Sequence, residues 1–249
     1  MVLYYATVVI AATLAIPISF PSYFFYKGGS WSFNVFNLCA SWVDVSVEVR
    51  NKEILDSVKG PAVVVVNHQS SLDIIAMGKC WPDKCTVIMK DSLKWVPGFN
   101  LSAILCNTIF VKRFSKHDGP NPALEQAVEA MRKKGLKIWI FPEGTRHHSH
   151  GFLPFKKGAF NMAICAQIPI IPVVISDYAP FYSRSNKYFR WPGYAIAQVL
   201  KPVPTEGLTY EDIPKLVENV RDQMLEEYEK ISLEAARRHE IKNGEAKSE

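Results

Sequence analysis

His68 and Asp73 stand within Asn67-His68-Gln69-Ser70-Ser71-Leu72-Asp73, a stretch that follows directly on the apolar run Ala62-Val63-Val64-Val65-Val66. This spacing sets an imidazole at the end of a buried strand and a carboxylate about one helical turn further on. Asp73 can then accept a hydrogen bond from one ring nitrogen of His68, leaving the other as a base able to take a proton from an alcohol. A second stretch, Phe141-Pro142-Glu143-Gly144-Thr145-Arg146, follows the apolar run Ile138-Trp139-Ile140. A glycine turn beside an arginine grips a phosphate through a closely approaching backbone and a forked cation. A base and a phosphate grip together point to an enzyme acting on a phosphorylated alcohol.

Phe110-Val111-Lys112-Arg113 closes another apolar run and puts Arg113 where a strand meets a loop. In an open α/β sheet the carboxyl ends of strands line the ligand crevice, so Arg113 and Arg146 are expected to converge on one phosphate. The plainer alternative for Arg113 is an exposed strand end. Lys156-Lys157-Gly158 opens a helix, and a basic helix start can also hold an anion, although this signal is weak by itself. The segment from Ile168 to Val173 reads as a turn into a buried strand, mostly core, with Pro172 as a candidate pocket wall. Ser70 and Ser71 invite a serine-nucleophile reading, but residues so close to His68 rarely face it, and helix capping is preferred. Asn67 is expected to cap or to hold a loop. His147, His148 and His150 lack the carboxylate or cysteine spacing of a metal site, so they read as a solvated loop and no metal is expected. Five cysteines without compact spacing suit a reducing, cytosol-facing environment.

These residues need a scaffold, and the chain alternates short apolar runs with helical patterns beyond Val49, the signature of an α/β domain. Strands are expected over Ala62–Val66, Thr86–Met89, Thr108–Val111, Lys137–Phe141, Ile170–Ile175 and Tyr194–Leu200, and helices over Leu72–Lys79, Pro122–Lys134 and Gly158–Ala166. The Tyr-, Ser- and Arg-rich stretch between Pro180 and Pro192 is expected to be a loop. A helix from Tyr210 onward should pack on the domain and become solvated past Ala236. Met1 to Tyr26 carries no charged side chain, and about 20 apolar residues suffice to span a bilayer. A membrane anchor is preferred there over a signal peptide or a core helix, because a basic amino end and a small-residue cleavage site are missing. Gly28 to Val49 is expected to be a second, interfacial helix. The divisions are therefore anchor and interfacial helix over 1–49, catalytic domain over 50–236 and polar tail over 237–249.

The formal charge of +5, from 29 Lys and Arg against 24 Asp and Glu, suits lipid headgroups or a phosphorylated ligand, or merely solubility. It lacks the dense basic stripe of a nucleic-acid binder. The basic excess lies after the apolar run, which puts the globular part on the cytosolic side.

Taken together, the sequence resembles the glycerolipid acyltransferase superfamily, and most closely its 1-acyl-sn-glycerol-3-phosphate acyltransferases. His68 to Asp73 matches the family's first motif, Phe110 and Arg113 its second, Glu143-Gly144-Thr145-Arg146 its third, and Ile168 to Val173 its fourth, in the family's order. Lys112 and the histidine-rich run after Arg146 are departures beside matched positions. The resemblance implies a single domain with a central mixed sheet flanked by helices, behind the membrane-anchoring segment. It implies acyl transfer from acyl-coenzyme A, a co-substrate rather than a resident cofactor, to the sn-2 hydroxyl of lysophosphatidate, giving phosphatidate. In that chemistry His68 is the general base oriented by Asp73. Arg113, Glu143, Gly144, Thr145 and Arg146 serve the phosphate, with Glu143 holding an arginine or a backbone amide. The place of work would be a phospholipid membrane, the endoplasmic reticulum in a eukaryote or the inner membrane in a bacterium. Rival readings are another lysolipid acceptor, a transacylase, a serine hydrolase and a non-catalytic carrier.

Overall fold

The computed structural model describes residues 28–90, 108–111 and 122–245, together with single positions 7, 10, 11, 13, 14, 95, 101 and 104. The strands are β1 (Val45–Arg50), β2 (Ala62–Val66), β3 (Cys85–Lys90), β4 (Ile109–Val111), β5 (Lys137–Ile140), β6 (Ile170–Ile175), β7 (Tyr182–Ser183), β8 (Tyr188–Phe189) and β9 (Gly193–Val199). The helices are α1 (Gly28–Cys39), α2 (Lys52–Ser57), α3 (Asp73–Cys80), α4 (Pro122–Lys134), α5 (Gly158–Ala166) and α6 (Ile213–Glu245).

Seven strands form one sheet in the order β1-β9-β6-β2-β5-β3-β4. Neighbours run parallel except β6 with β9, so the sheet is mixed, as expected. β2 lies in the middle with all five residues buried. Because side chains alternate across a strand, its valines serve two different cores. Val63 and Val65 pack with Met131 of α4, Phe160 of α5 and Met224 of α6. Val64 and Val66 pack with Phe36 of α1, Leu55 of α2 and Ile75 of α3. Helices thus cover both faces and leave the strand ends as the place for chemistry.

The single helix expected through Val49 ends at Cys39 instead, and Asp44 turns the chain with φ 51°. Val45, Val47 and Val49 alternate with Ser46, Glu48 and Arg50. This two-residue period lays β1 along the sheet edge, parallel to β9. The loop expected between Pro180 and Pro192 contains the β7–β8 hairpin. Past Ala236 α6 runs on with Arg237, Arg238, Glu240 and Ile241 exposed, as expected, while His239 turns inward and is only 5% exposed. Arg50 reaches Glu234 through two bonds of 2.6 and 2.7 Å, and Arg238 meets Glu48 at 2.7 Å. The anchor expected over 1–26 lies almost wholly outside the described residues, among which no helix is long and apolar enough to cross a membrane.

Candidate active site

β2 and β5 run side by side with Val65 opposite Ile140, so the stretches beginning at Asn67 and Phe141 leave the sheet together at one end. Asp73, 1% exposed, opens α3. Its Oδ2 accepts three hydrogen bonds, from His68 Nδ1 at 2.7 Å, the Gln69 amide at 2.9 Å and the Ser70 amide at 3.1 Å. The loop is wrapped around one carboxylate oxygen. The imidazole also stacks on Phe141 with ring centroids 4.0 Å apart and planes 19° from parallel. With one edge held by Asp73 and one face by Phe141, Nε2 is the nitrogen left for a substrate.

The backbone of His68 is braced from both sides. The Asn67 side chain donates to the Ile175 carbonyl at 2.9 Å and accepts from the Ile175 amide at 2.8 Å. Gln69 donates to the carbonyls of Ile175 and Ser176 at 3.1 and 3.0 Å. These bonds fasten the loop to the end of β6. On the other side Glu143 accepts from the His68 amide at 2.7 Å and, through its second oxygen, from the Leu153 amide at 2.9 Å. The His147 amide donates to the His68 carbonyl at 2.7 Å.

Glu143 is 2% exposed and both its oxygens are taken, so it does not reach out to a phosphate. Of the two alternatives expected for it, an arginine or a backbone amide, the described residues show the amides. Burial raises its carboxyl pKa, and the two amides pull in the opposite direction. Gly144 follows with φ +68°, a left-handed turn that glycine adopts without strain. A Cβ at this position would collide with the Lys156 ammonium, which lies directly over the glycine. Lys156, Gly144, Gly158 and His68 line one cavity of about 490 Å³, whose remaining wall is apolar and includes Met77, Val87, Trp139 and Met162. A base, an ammonium and a helix start therefore share a cavity with greasy walls.

The other expected site residues fall in different places. Thr145, Arg146 and Lys157 are exposed. Arg146 precedes His147, whose amide sits on the His68 carbonyl, and so it stands at the rim of the same loop. Arg113 lies outside the described residues. The strand that precedes it in the sequence, β4, is parallel to β3 and β5 and ends at the same end of the sheet as β2. Pro172, weighed as a pocket wall, is buried within β6. The Ser70 hydroxyl accepts from the Leu72 amide at 3.3 Å, a turn-forming bond at the helix start rather than a contact with the imidazole.

The histidine run is not uniformly solvated, because His150 is clamped. Its Nδ1 lies 2.9 Å from Asp177 and its Nε2 3.0 Å from Glu229, with the Tyr228 ring 5.1 Å away. The Asp177 bond raises the His150 pKa, burial opposes it, and Glu229 raises it further. A raised folded-state pKa means stabilisation complete below the ordinary histidine value and lost as pH climbs through the folded one. Because the ring is more than half exposed, His150→Ala should lower the melting temperature by only about 1–3 °C at pH ~6 and less at pH ~9. Paired melting curves check the sign: an equal loss at both pH values would refute the clamp.

Two supporting residues were not recognised from sequence, Gln69 and Phe141 as the stacking partner of His68; Asn67, expected to cap or to hold a loop, holds the loop, and its partner in β6 was not foreseen. Their roles depend on which strands flank β2, a fact local spacing does not contain.

The Acyltransferase family model matches residues 46–176. A Caenorhabditis elegans protein provisionally named 1-acyl-sn-glycerol-3-phosphate acyltransferase is 43% identical over 98% of this chain and 86% of its own length. Mouse 1-acyl-sn-glycerol-3-phosphate acyltransferase alpha is 42% identical over 76% of this chain, which spans 65% of the mouse protein. The crystal structure of the acyltransferase PlsC of Thermotoga maritima, which acts on 1-acyl-sn-glycerophosphate, superposes with a TM-score of 0.67 at 25% identity, covering 91% of this chain and 95% of that one.

Proposed function

The chain belongs to the 1-acyl-sn-glycerol-3-phosphate acyltransferase family and is an acyltransferase enzyme; on that footing we propose that it moves an acyl group from acyl-coenzyme A to the sn-2 hydroxyl of lysophosphatidate. His68 Nε2 takes the hydroxyl proton as the oxygen attacks the thioester carbonyl. The tetrahedral intermediate collapses, the carbon–sulfur bond breaks, and the imidazolium returns its proton to the departing thiolate. The observation that carries this reading is the three-bond grip of Asp73 Oδ2 on the His68 loop, which fixes the ring tautomer beside a largely apolar cavity.

A thioester is already activated, so the reaction asks of the protein a base, positioning and oxyanion stabilisation, and needs no resident metal or cofactor. Lys156, over Gly144 on the wall shared with His68, is the cation available to the developing oxyanion or to the acceptor phosphate. Arg146 at the rim, and Arg113 beyond β4, complete the phosphate grip in this reading. The apolar wall supports a lipid chain lying against it, each buried methylene contributing about 0.8 kcal/mol. Trp42 and Trp191, 44% and 57% exposed, suit an enzyme resting on the cytosolic side of a membrane, from which it would take its substrates laterally.

Labelled acyl-coenzyme A offered with a panel of acceptors tests the assignment. Lysophosphatidate should be acylated at least about a hundredfold faster than lysophosphatidylcholine or glycerol 3-phosphate, since losing a desolvated phosphate contact or the acceptor chain costs this much or more. A preference for a lysolipid with a capped phosphate would overturn the acceptor; transfer only from a phospholipid donor would overturn the coenzyme A thioester.

A further inference from the structure

The amino ends of β2, β5 and β3 lie at the opposite end of the sheet from His68 and open on a second cavity of about 560 Å³. Lys52 and Asp56 of α2 line it, with Lys59 from the following loop, Trp81, Asp83 and Lys84 from the α3–β3 turn, and Lys137 at the start of β5. Four ammonium groups thus face two carboxylates. Lys52 engages Asp56 at 3.2 Å, and Lys59 donates to the Asp56 main-chain carbonyl at 3.0 Å.

Lys137 is different, being only 5% exposed. Its backbone is fixed, with the amide donating to the Lys84 carbonyl at 2.8 Å. Its ammonium makes no hydrogen bond or ion pair among the described residues, and Asp56 and Asp83 act on it only through longer-range attraction. Burial pulls its pKa below the ordinary lysine value. Its stem is packed while its ammonium borders the cavity, partly withdrawn from water and without a contact counter-ion, and the arrangement is relieved when an anion enters. Lysine binds phosphate as a point charge, and the local excess of two positive charges matches a dianion.

We propose that this cavity is a binding site for a phosphate-bearing dianion, with Lys137 as its innermost anchor and Lys84 and Lys59 at its rim. It is separate from the acyl-transfer centre and does not depend on the function assigned above. The same chemistry is offered by a free phosphate compound and by the phosphomonoester headgroup of an acidic lipid.

The full-length protein titrated with pyrophosphate, read by calorimetry and by ³¹P line broadening, tests the site. Lys137→Met keeps the stem's bulk and removes the charge, so its melting temperature should equal or exceed that of the parent. Its pyrophosphate affinity should fall at least about tenfold while its acyl-transfer rate is unchanged, whereas Arg146→Gln should leave this binding within about twofold. A second arm measures co-sedimentation with phosphatidylcholine vesicles with and without phosphatidate. Lys137-dependent binding only to the phosphatidate vesicles would place the anion on a lipid, and Lys137-dependent binding of pyrophosphate would place it in solution. Binding in neither arm, or binding that Lys137→Met leaves intact, overturns the proposal.

Discussion

His68→Ala is expected to lower kcat by about 10³–10⁴ while leaving the melting temperature within a few degrees, a loss at the upper end of what positioned base catalysis supplies. The fold should persist because the loop does not rely on the ring. Asp73 Oδ2 keeps the Gln69 and Ser70 amides, and Asn67 and Glu143 still brace the backbone. Asp73→Asn makes a sharper companion. All three bonds converge on one oxygen, so a carboxamide oxygen in that place preserves the loop and the tautomer while the negative charge is lost. Its expected effect is about 10–10³ in kcat with little change in KM, isolating the support the carboxylate gives to the imidazolium. Steady-state rates with saturating acyl-coenzyme A and lysophosphatidate check both variants. Near-normal turnover in His68→Ala would remove the general base from the mechanism.

How far this arrangement could be read in advance depended on how local its parts are. His68 and Asp73 belong to one strand–helix junction, so their pairing follows from spacing alone. The same holds for β6, α4 and α5, whose observed limits coincide with those expected, because each is a continuous apolar or amphipathic run with clear turn residues at its ends. Phe141, Asn67 and Gln69 act across strands. The stacking of Phe141 on His68 follows only once β5 is known to lie beside β2, and the Asn67–Ile175 bonds only once β6 is known to flank the other side. β1 was hidden for a related reason. Six residues that alternate valine with Ser, Glu and Arg look like the continuation of a mixed helix until a parallel partner is found 148 positions away in β9. The ion pairs that tie α6 to β1 were hidden in the same way, since Glu234 and Arg238 find their partners, Arg50 and Glu48, 184 and 190 positions upstream.

Glu143→Ala should be the most damaging change to the architecture of the site. Two amides from separate loops, those of His68 and Leu153, converge on this buried carboxylate, and alanine leaves both without an acceptor. An unsatisfied buried donor costs about 1–3 kcal/mol, so the pair should cost about 2–4 kcal/mol once water recovers part of the loss. For a chain of this size that corresponds to a fall of roughly 5–15 °C in melting temperature. The catalytic loss should exceed what unfolding explains, at about a hundredfold or more below the melting range, because a displacement of the His68 backbone of about 1 Å misaligns the base. Glu143→Gln separates the two contributions. Its single carbonyl oxygen can serve one amide while its NH₂ group faces the other, so it should lie between wild type and alanine in stability yet near alanine in rate. Thermal melts alongside kcat measured well below each variant's transition decide the matter. A Glu143→Ala protein that melts low but turns over normally when folded would reduce this residue to a brace for the loop and leave the alignment of His68 to Asp73 and Phe141 alone.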